Sequence, residues 1–259
     1  MGEALLSRLI AQKIYQPSEV LVSEPQQQRR SFLQQQYGVA VTADNRVVAL
    51  NASVVLLAVK PQVFEAIARD LADAVKELAG SPPFVISILA GVSIKQLQAA
   101  FPQLPVIRAM PNTPATVGAG ITAISSGSHT DLRHQKIAQQ LFSAVGEVVE
   151  VPETLMDAVT GLSGSGPAYV AMMVEALSDG GVAAGLPRSI ATKLALQTVR
   201  GTVQLLQETG MHPAELKDRV TSPGGTTIAG IAELERAGFR SALIEAVRAA
   251  TERSKELGS

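Results

Sequence analysis

The chain has 259 residues, enough for two modest domains, and its 46% apolar and 17% charged residues are those of a globular protein. A net charge of −1 gives no electrostatic pull toward nucleic acid or an anionic membrane. Cysteine is absent, which excludes disulfides, thiolate metal sites and a cysteine nucleophile, and fits a reducing compartment.

Aromatics make up 3% and Trp is absent, so the core must be aliphatic. The longest apolar run, Val54–Val59, ends at Lys60, well short of the roughly 18–20 residues that span a bilayer. Glu3 and Arg8 interrupt the first ten residues, where a secretory signal would be apolar. The expectation is a cytoplasmic protein with no membrane and no nucleic-acid partner.

In chain order, "MGEALLSRLI" (1–10) is already helical. "EVLVS" (19–23) is a short β-rich run, followed by the polar helical stretch 25–36. "SVVLLAV" (53–59) is apolar at every residue, as in a strand covered on both faces. A helix over Val63–Leu78, a strand at "PFVISI" (83–88), a helix over 93–100 and a strand at "PVIRAM" (105–110) follow, with "GEVVEV" (146–151) as the last strand. Strands alternating with helices predict parallel βαβ units, so residues 1–152 read as a Rossmann-like, doubly wound dinucleotide-binding domain. Residues 153–259 read as all-helical, with apolar positions at the 3.6 period. In "GPAYVAMMVEAL" (166–177) Pro167 opens a helix that is apolar on most faces. Such a helix is buried on all sides, which points to an obligate oligomer. No internal repeat and no low-complexity linker is visible.

A doubly wound cofactor domain opens with strand, glycine turn and helix, with the fingerprint G-x-G-x-x-G. Here either a helix simply begins the chain, or Gly2 is the last glycine of such a fingerprint and a strand with two glycines precedes Met1. The strand at 19–23, which otherwise has no crossover partner, favours a sheet whose first strand is missing.

Cofactor contacts are expected at strand ends, where open α/β sheets bind ligands. "AVKP" (Ala58, Val59, Lys60, Pro61) ends one strand; Ile88, Leu89 and Ala90 end the next with a turn of small residues. Ser23 and Glu24 stand where an acid would take a ribose hydroxyl, favouring NAD(H), whereas Arg29 and Arg30 could reach a 2′-phosphate. That choice stays open.

"VTSPGGTTIAG" (220–230) interrupts a helical region with glycines and hydroxyls. Paired glycines Gly224 and Gly225 remove side chains so that backbone N–H groups can converge on an anion at the start of a helix over 226–236. Ser222, Thr226 and Thr227 add hydroxyls beyond the one that a helix cap needs. His129 and His134 read as surface residues, His212 before Pro213 as a turn or cap, and no group is spaced as metal ligands.

"LKDRVTSPGGTTIAGIAELE" (216–235) closely resembles the signature of the pyrroline-5-carboxylate reductases, and "DAVTGLSGSGPAYV" (157–170), "AVKP" and "RAMPNTP" (108–114) match the same family in the same order. The resemblance runs over nearly the whole chain; the departure is the N-terminus, which retains only Gly2 of the glycine fingerprint. It implies hydride transfer from NAD(P)H to the C=N bond of a cyclic imine acid, giving proline. NADPH is the family's usual cofactor and NADH the alternative. It also implies that the loop 222–227 binds the substrate carboxylate, with Thr227 hydrogen-bonded to the ring nitrogen and Glu153 an acidic position near the substrate. Asn45, Ala58, Lys60 and Ala90 match dinucleotide-contacting positions, and Gly2 and Ser23 join them. The helical domain would form a homodimer, with five dimers in a decamer. A β-hydroxyacid dehydrogenase would share the two-domain plan, but its K-x-x-N motif is absent from the sequence. A cofactor-dead assembly protein is the other rival; the intact 222–227 loop opposes it.

Overall fold

The computed structural model describes residues 1–78 and 82–258, so Ser259, the end of the expected helical half, lies outside the described residues. The chain divides into two compact units: Met1–Gly164 together with the last turns from Ala250, and Ser165–Ala249.

The first unit runs α1 (Gly2–Ala11), β1 (Leu21–Ser23), α2 (Gln27–Tyr37), β2 (Ala40–Thr42), α3 (Asn45–Asn51), β3 (Val54–Leu57), α4 (Phe64–Lys76), β4 (Phe84–Ser87), α5 (Ile94–Ala100), β5 (Val106–Met110), β6 (Gly120–Ser126), α6 (Leu132–Ser143), β7 (Gly146–Glu150) and α7 (Met156–Val159), the last continuing into a π-helical turn at Thr160–Gly164. Its strands form two sheets with the orders β1-β2 and β3-β4-β5-β6-β7. All neighbours are parallel except β5 and β6, which are antiparallel with Ile107 opposite Ser126.

Period explains the layers. Along β4 every residue is buried, and alternate side chains face opposite ways. Val85 joins Val55, Leu57 and Val106 under α4 and α5, where Phe64, Ala68, Leu71 and Leu97 supply the helix stripes. Phe84 and Ile86 join Ile107 and Ile124 on the other face, under Leu5 and Leu9 of α1 and Ala138, Leu141 and Phe142 of α6. Helix α1 also sends Leu6 into a smaller cluster with Leu33 and Val39 beside the β1–β2 pair. The sheet is therefore doubly wound, with helices on both faces. Strand β3 is less buried than its uniform apolar run predicts: Val54 and Leu56 are only partly covered because β3 is an edge strand of its sheet.

The second unit contains α8 (Gly166–Ala183), α9 (Arg188–Thr209), α10 (Pro213–Arg219), α11 (Thr226–Arg236) and the start of α12 (Phe239–Gly258). Its only buried apolar residues are Ala191 and Ala195, on α9. Met172 is 68% exposed and Ile244 65%, and Val170, Leu194, Leu196 and Val203 are each about half exposed. Two alanines cannot offset the ordering of such a unit, at about 1–2 kcal/mol per residue for the backbone alone. The greasy faces need a protein partner. No described helix is long and apolar enough to cross a membrane.

Candidate functional site

In the first unit the expected cofactor residues gather at the C-terminal ends of the parallel strands. Gly2 opens α1 directly against the end of β3: a side-chain carbon on Gly2 would stand 3.0 Å from the Ala58 Cβ. The glycine thus lets a helix N-terminus, with its outward N–H groups, approach the strand end closely. Ala58, Val59, Lys60 and Pro61 are exposed there, and Lys60 has no ion-pair partner among the described residues. Ile88 donates its backbone N–H to Leu57 O at 3.1 Å, which ties the turn after β4 to the same edge; Leu89 is buried and Ala90 exposed.

The end of β1 brings together two more expected residues, as the Ser23 hydroxyl donates to Asn45 Oδ1 at 2.8 Å. Glu24 is turned back on its own loop, accepting from the Gln26 N–H at 2.9 Å. Arg30 donates to the carbonyls of Glu24 and Pro25 at 2.7 and 2.8 Å, bonds that leave its charge unneutralised. Arg29 is paired with Glu3 and stacked on Phe32. Hydrogen bonds from Arg29 and from the Tyr37 hydroxyl hold the Glu3 carboxyl below its usual range.

Glu153 belongs to the first unit, in a 3₁₀ turn after β7. Its Oε1 accepts from the Ile94 N–H at the start of α5 and from Arg108 Nη1 at 3.2 Å. Arg108, in mid-β5, is 7% exposed, so Glu153 neutralises a buried cation and caps a helix. An open cavity of about 460 Å³ beside it is lined by Ser125, Ser126, Gly127, Ser128 and Glu150.

In the second unit the loop 222–227 forms a tight turn between α10 and α11. Gly224 has φ +67°, a left-handed conformation costly for any other residue, and a side-chain carbon on Gly225 would stand 2.3 Å from Ser222 Oγ. The Gly225 N–H donates to Ser222 O at 3.1 Å, so this amide, expected to be free for an anion, is spent on the turn. The first-turn N–H groups of Thr226, Thr227 and Ile228 have no partner among the described residues, and neither do the hydroxyls of Ser222, Thr226 and Thr227. The convergent donors are therefore the helix's own, displaced one residue along from the paired glycines. Thr227 is partly buried, Thr226 exposed.

The histidines are structural: His134 completes a capping box with Asp131 at the start of α6, His212 accepts from the Ala214 N–H at the start of α10, and His129 is exposed. No group of His, Asp and Glu among the described residues is placed to hold a metal.

A family profile described as pyrroline-5-carboxylate reductase dimerisation matches residues 153–257, and one described as NADP oxidoreductase, coenzyme F420-dependent, matches residues 1–91. The pyrroline-5-carboxylate reductase of a Synechocystis species is 61% identical over 258 residues, covering 100% of this chain and 95% of the relative. The chain belongs to the pyrroline-5-carboxylate reductase family. The pyrroline-5-carboxylate reductase of Methanosarcina acetivorans is 45% identical, over 100% of this chain and 94% of its own length. Among solved structures, the Coxiella burnetii pyrroline-5-carboxylate reductase superposes with a TM-score of 0.92 at 36% identity, covering 100% of this chain and 95% of that one. The Plasmodium falciparum pyrroline carboxylate reductase, solved with NADP bound, gives 0.89 at 30% identity with the same coverage. The matched dimerisation region of this pyrroline-5-carboxylate reductase family member includes the unit whose apolar helix faces stand exposed, so the two findings agree on a homo-oligomer.

Proposed function

We propose that the chain reduces the C=N bond of L-1-pyrroline-5-carboxylate to give L-proline, with loop 222–227 holding the substrate carboxylate and Thr227 its ring nitrogen. The observation that carries this reading is the set of unpartnered N–H groups on Thr226, Thr227 and Ile228, opening an eleven-residue helix. Hydrogen bonds to a charged acceptor contribute about 1.5–3 kcal/mol each, so three suffice for a carboxylate without an arginine. An imine nitrogen is basic enough to carry its own proton, so no strong general acid is required. The Thr227 hydroxyl accepts from that N–H⁺ and fixes the ring plane, while Ser222, Thr226 and the amides fix the carboxylate.

The first unit fits a nicotinamide dinucleotide: the bare Gly2–Ala58 approach and the unpaired Lys60 are what a pyrophosphate and a ribose need. Gly2, Ala58, Val59, Lys60 and Pro61 would hold its centre, Ser23 and Asn45 its adenosine ribose, and Ile88, Leu89 and Ala90 its nicotinamide half. Bound there, it supplies the hydride. NADPH is favoured over NADH, because Glu24 is engaged with its own loop while Arg30 carries an unneutralised charge at the same turn. The partner that covers the second unit is a second copy packed on α8, in a dimer and, with five dimers, a decamer; the compartment is the cytoplasm.

The test is loss of NADPH absorbance on mixing the purified protein with pyrroline-5-carboxylate, with proline identified as product. No oxidation by a protein that binds NADPH refutes the assignment. Thr227→Ala is expected to lower kcat while the NADPH Kd is kept; an equal loss of both places that hydroxyl elsewhere.

A further inference from the structure

Two motifs of the sequence, "RAMPNTP" and "DAVTGLSGSGPAYV", have no role in the chemistry above, yet the fold brings them together. Asn112 follows β5 directly, at the same edge where β3 and β4 deliver Ala58–Lys60 and Leu89–Ala90. Its side chain is spent on the protein at both ends: Oδ1 accepts from the Ile121 N–H at 3.0 Å, and Nδ2 donates to Ser163 O at 3.2 Å. Ser163 lies in the π-helical turn Thr160–Gly164. The following residue is packed just as closely, since a side-chain carbon on Gly164 would stand 2.8 Å from the Met110 Cε. Thr160 and Ser163 donate their hydroxyls to the carbonyls of Met156 and Val159, four residues back, at 2.9 and 3.0 Å. The turn is thus held in its widened form from three directions, and Gly164 leads through Ser165 into α8. A π turn is a rare, locally unfavourable register that relaxes to an ordinary α turn unless its surroundings fix it, and such turns concentrate at functional sites.

We propose that Asn112 is a positioning residue for the reduction: by holding the Ser163 carbonyl it locks the 160–164 turn as a rigid wall beside the strand ends where hydride is delivered. The proposal rests on the reductase reading of that edge. One donor and one acceptor of the Asn112 amide are committed to Ser163 and Ile121, so Asn112 acts through the turn. Asn112→Asp removes one neutral hydrogen bond and Asn112→Ala removes two, so the fold is expected to survive while the register of the turn is lost.

The test uses Asn112→Asp, which keeps the acceptor for Ile121 and sets a carboxylate oxygen against Ser163 O, and Asn112→Ala, which removes both side-chain bonds without adding charge. Both are assayed well below their own Tm, together with NADPH Kd and amide exchange on the intact protein. The expected result is a kcat at least tenfold lower in both variants, an NADPH Kd within threefold of the parent, and exchange at residues 160–166 at least tenfold faster with β4 and β5 unchanged. Unchanged kcat in Asn112→Ala, or a fall in kcat without faster exchange at 160–166, overturns the proposal, as does a Kd that rises in step with the loss of kcat. A parent protein inactive on pyrroline-5-carboxylate would instead sink the reductase reading, which the exchange measurement does not depend on.

Discussion

Replacing Gly225 with Ala perturbs the turn proposed to bind the substrate carboxylate at one defined point. The new methyl carbon would meet Ser222 Oγ at 2.3 Å and Ser222 O at 3.2 Å. The hydroxyl can rotate away, but the carbonyl is main chain and anchors the turn through its bond from the Gly225 N–H. The turn must therefore shift by several tenths of an ångström, which would carry the Thr226 and Thr227 amides off a carboxylate bound as proposed. Loss of one such bond, at about 1.5–3 kcal/mol, corresponds to roughly a 10- to 140-fold rise in KM for pyrroline-5-carboxylate. Steady-state kinetics at saturating NADPH measure it, with NADPH Kd as the control that should not move. A Gly225→Ala enzyme with unchanged KM, or one whose NADPH affinity falls in parallel, refutes the assignment of the substrate carboxylate to this turn.

Glu153→Ala strips Arg108 of its carboxylate; with Glu153 about a third exposed, a loss of roughly 2–4 kcal/mol in urea unfolding is expected, with KM within twofold. A tenfold rise in KM at unchanged stability would bear out the expected place of Glu153 beside the substrate. Because Arg29 and Tyr37 lower the Glu3 carboxyl below 4.5, its ionised form stabilises the fold above that pH, and the contribution is lost as the pH falls through the folded pKa. Glu3→Gln should therefore depress Tm at neutral pH and cease to matter once the pH has fallen below the folded pKa; an offset in Tm constant with pH contradicts this coupling. Met172→Lys places a charge on an apolar face of α8 and should shift sedimentation toward the monomer, with Tm falling on dilution; unaltered association would move the interface elsewhere.

Much of this was legible in the chain itself. The glycine–hydroxyl loop stood out because two glycines and three hydroxyls exceed what a cap needs, and the greasy run 166–177 stood out because a helix apolar on most faces needs cover on all of them. Two strands did not show. β2 is three residues long, and β6, "GITAISS", mixes Thr and Ser into positions that are nonetheless buried, so no apolar period marks it. The reversal of direction at β5–β6 follows from that missed strand. Pairings such as Arg108 with Glu153 join residues 45 apart, and the spending of the Gly225 amide depends on the angle of one turn; composition and spacing carry neither.

The division of the sheet also bears on how the molecule breathes. Among the described residues the β1–β2 pair shares no main-chain ladder with the larger sheet and rests on a small cluster around Leu6, Leu33 and Val39. Residues 20–42 should therefore open as a separate foldon at lower free energy than the β4–β5 centre. With Ser23 holding the adenosine ribose as proposed, cofactor binding would be felt first as slowed proteolysis of this lobe, long before global melting reports it.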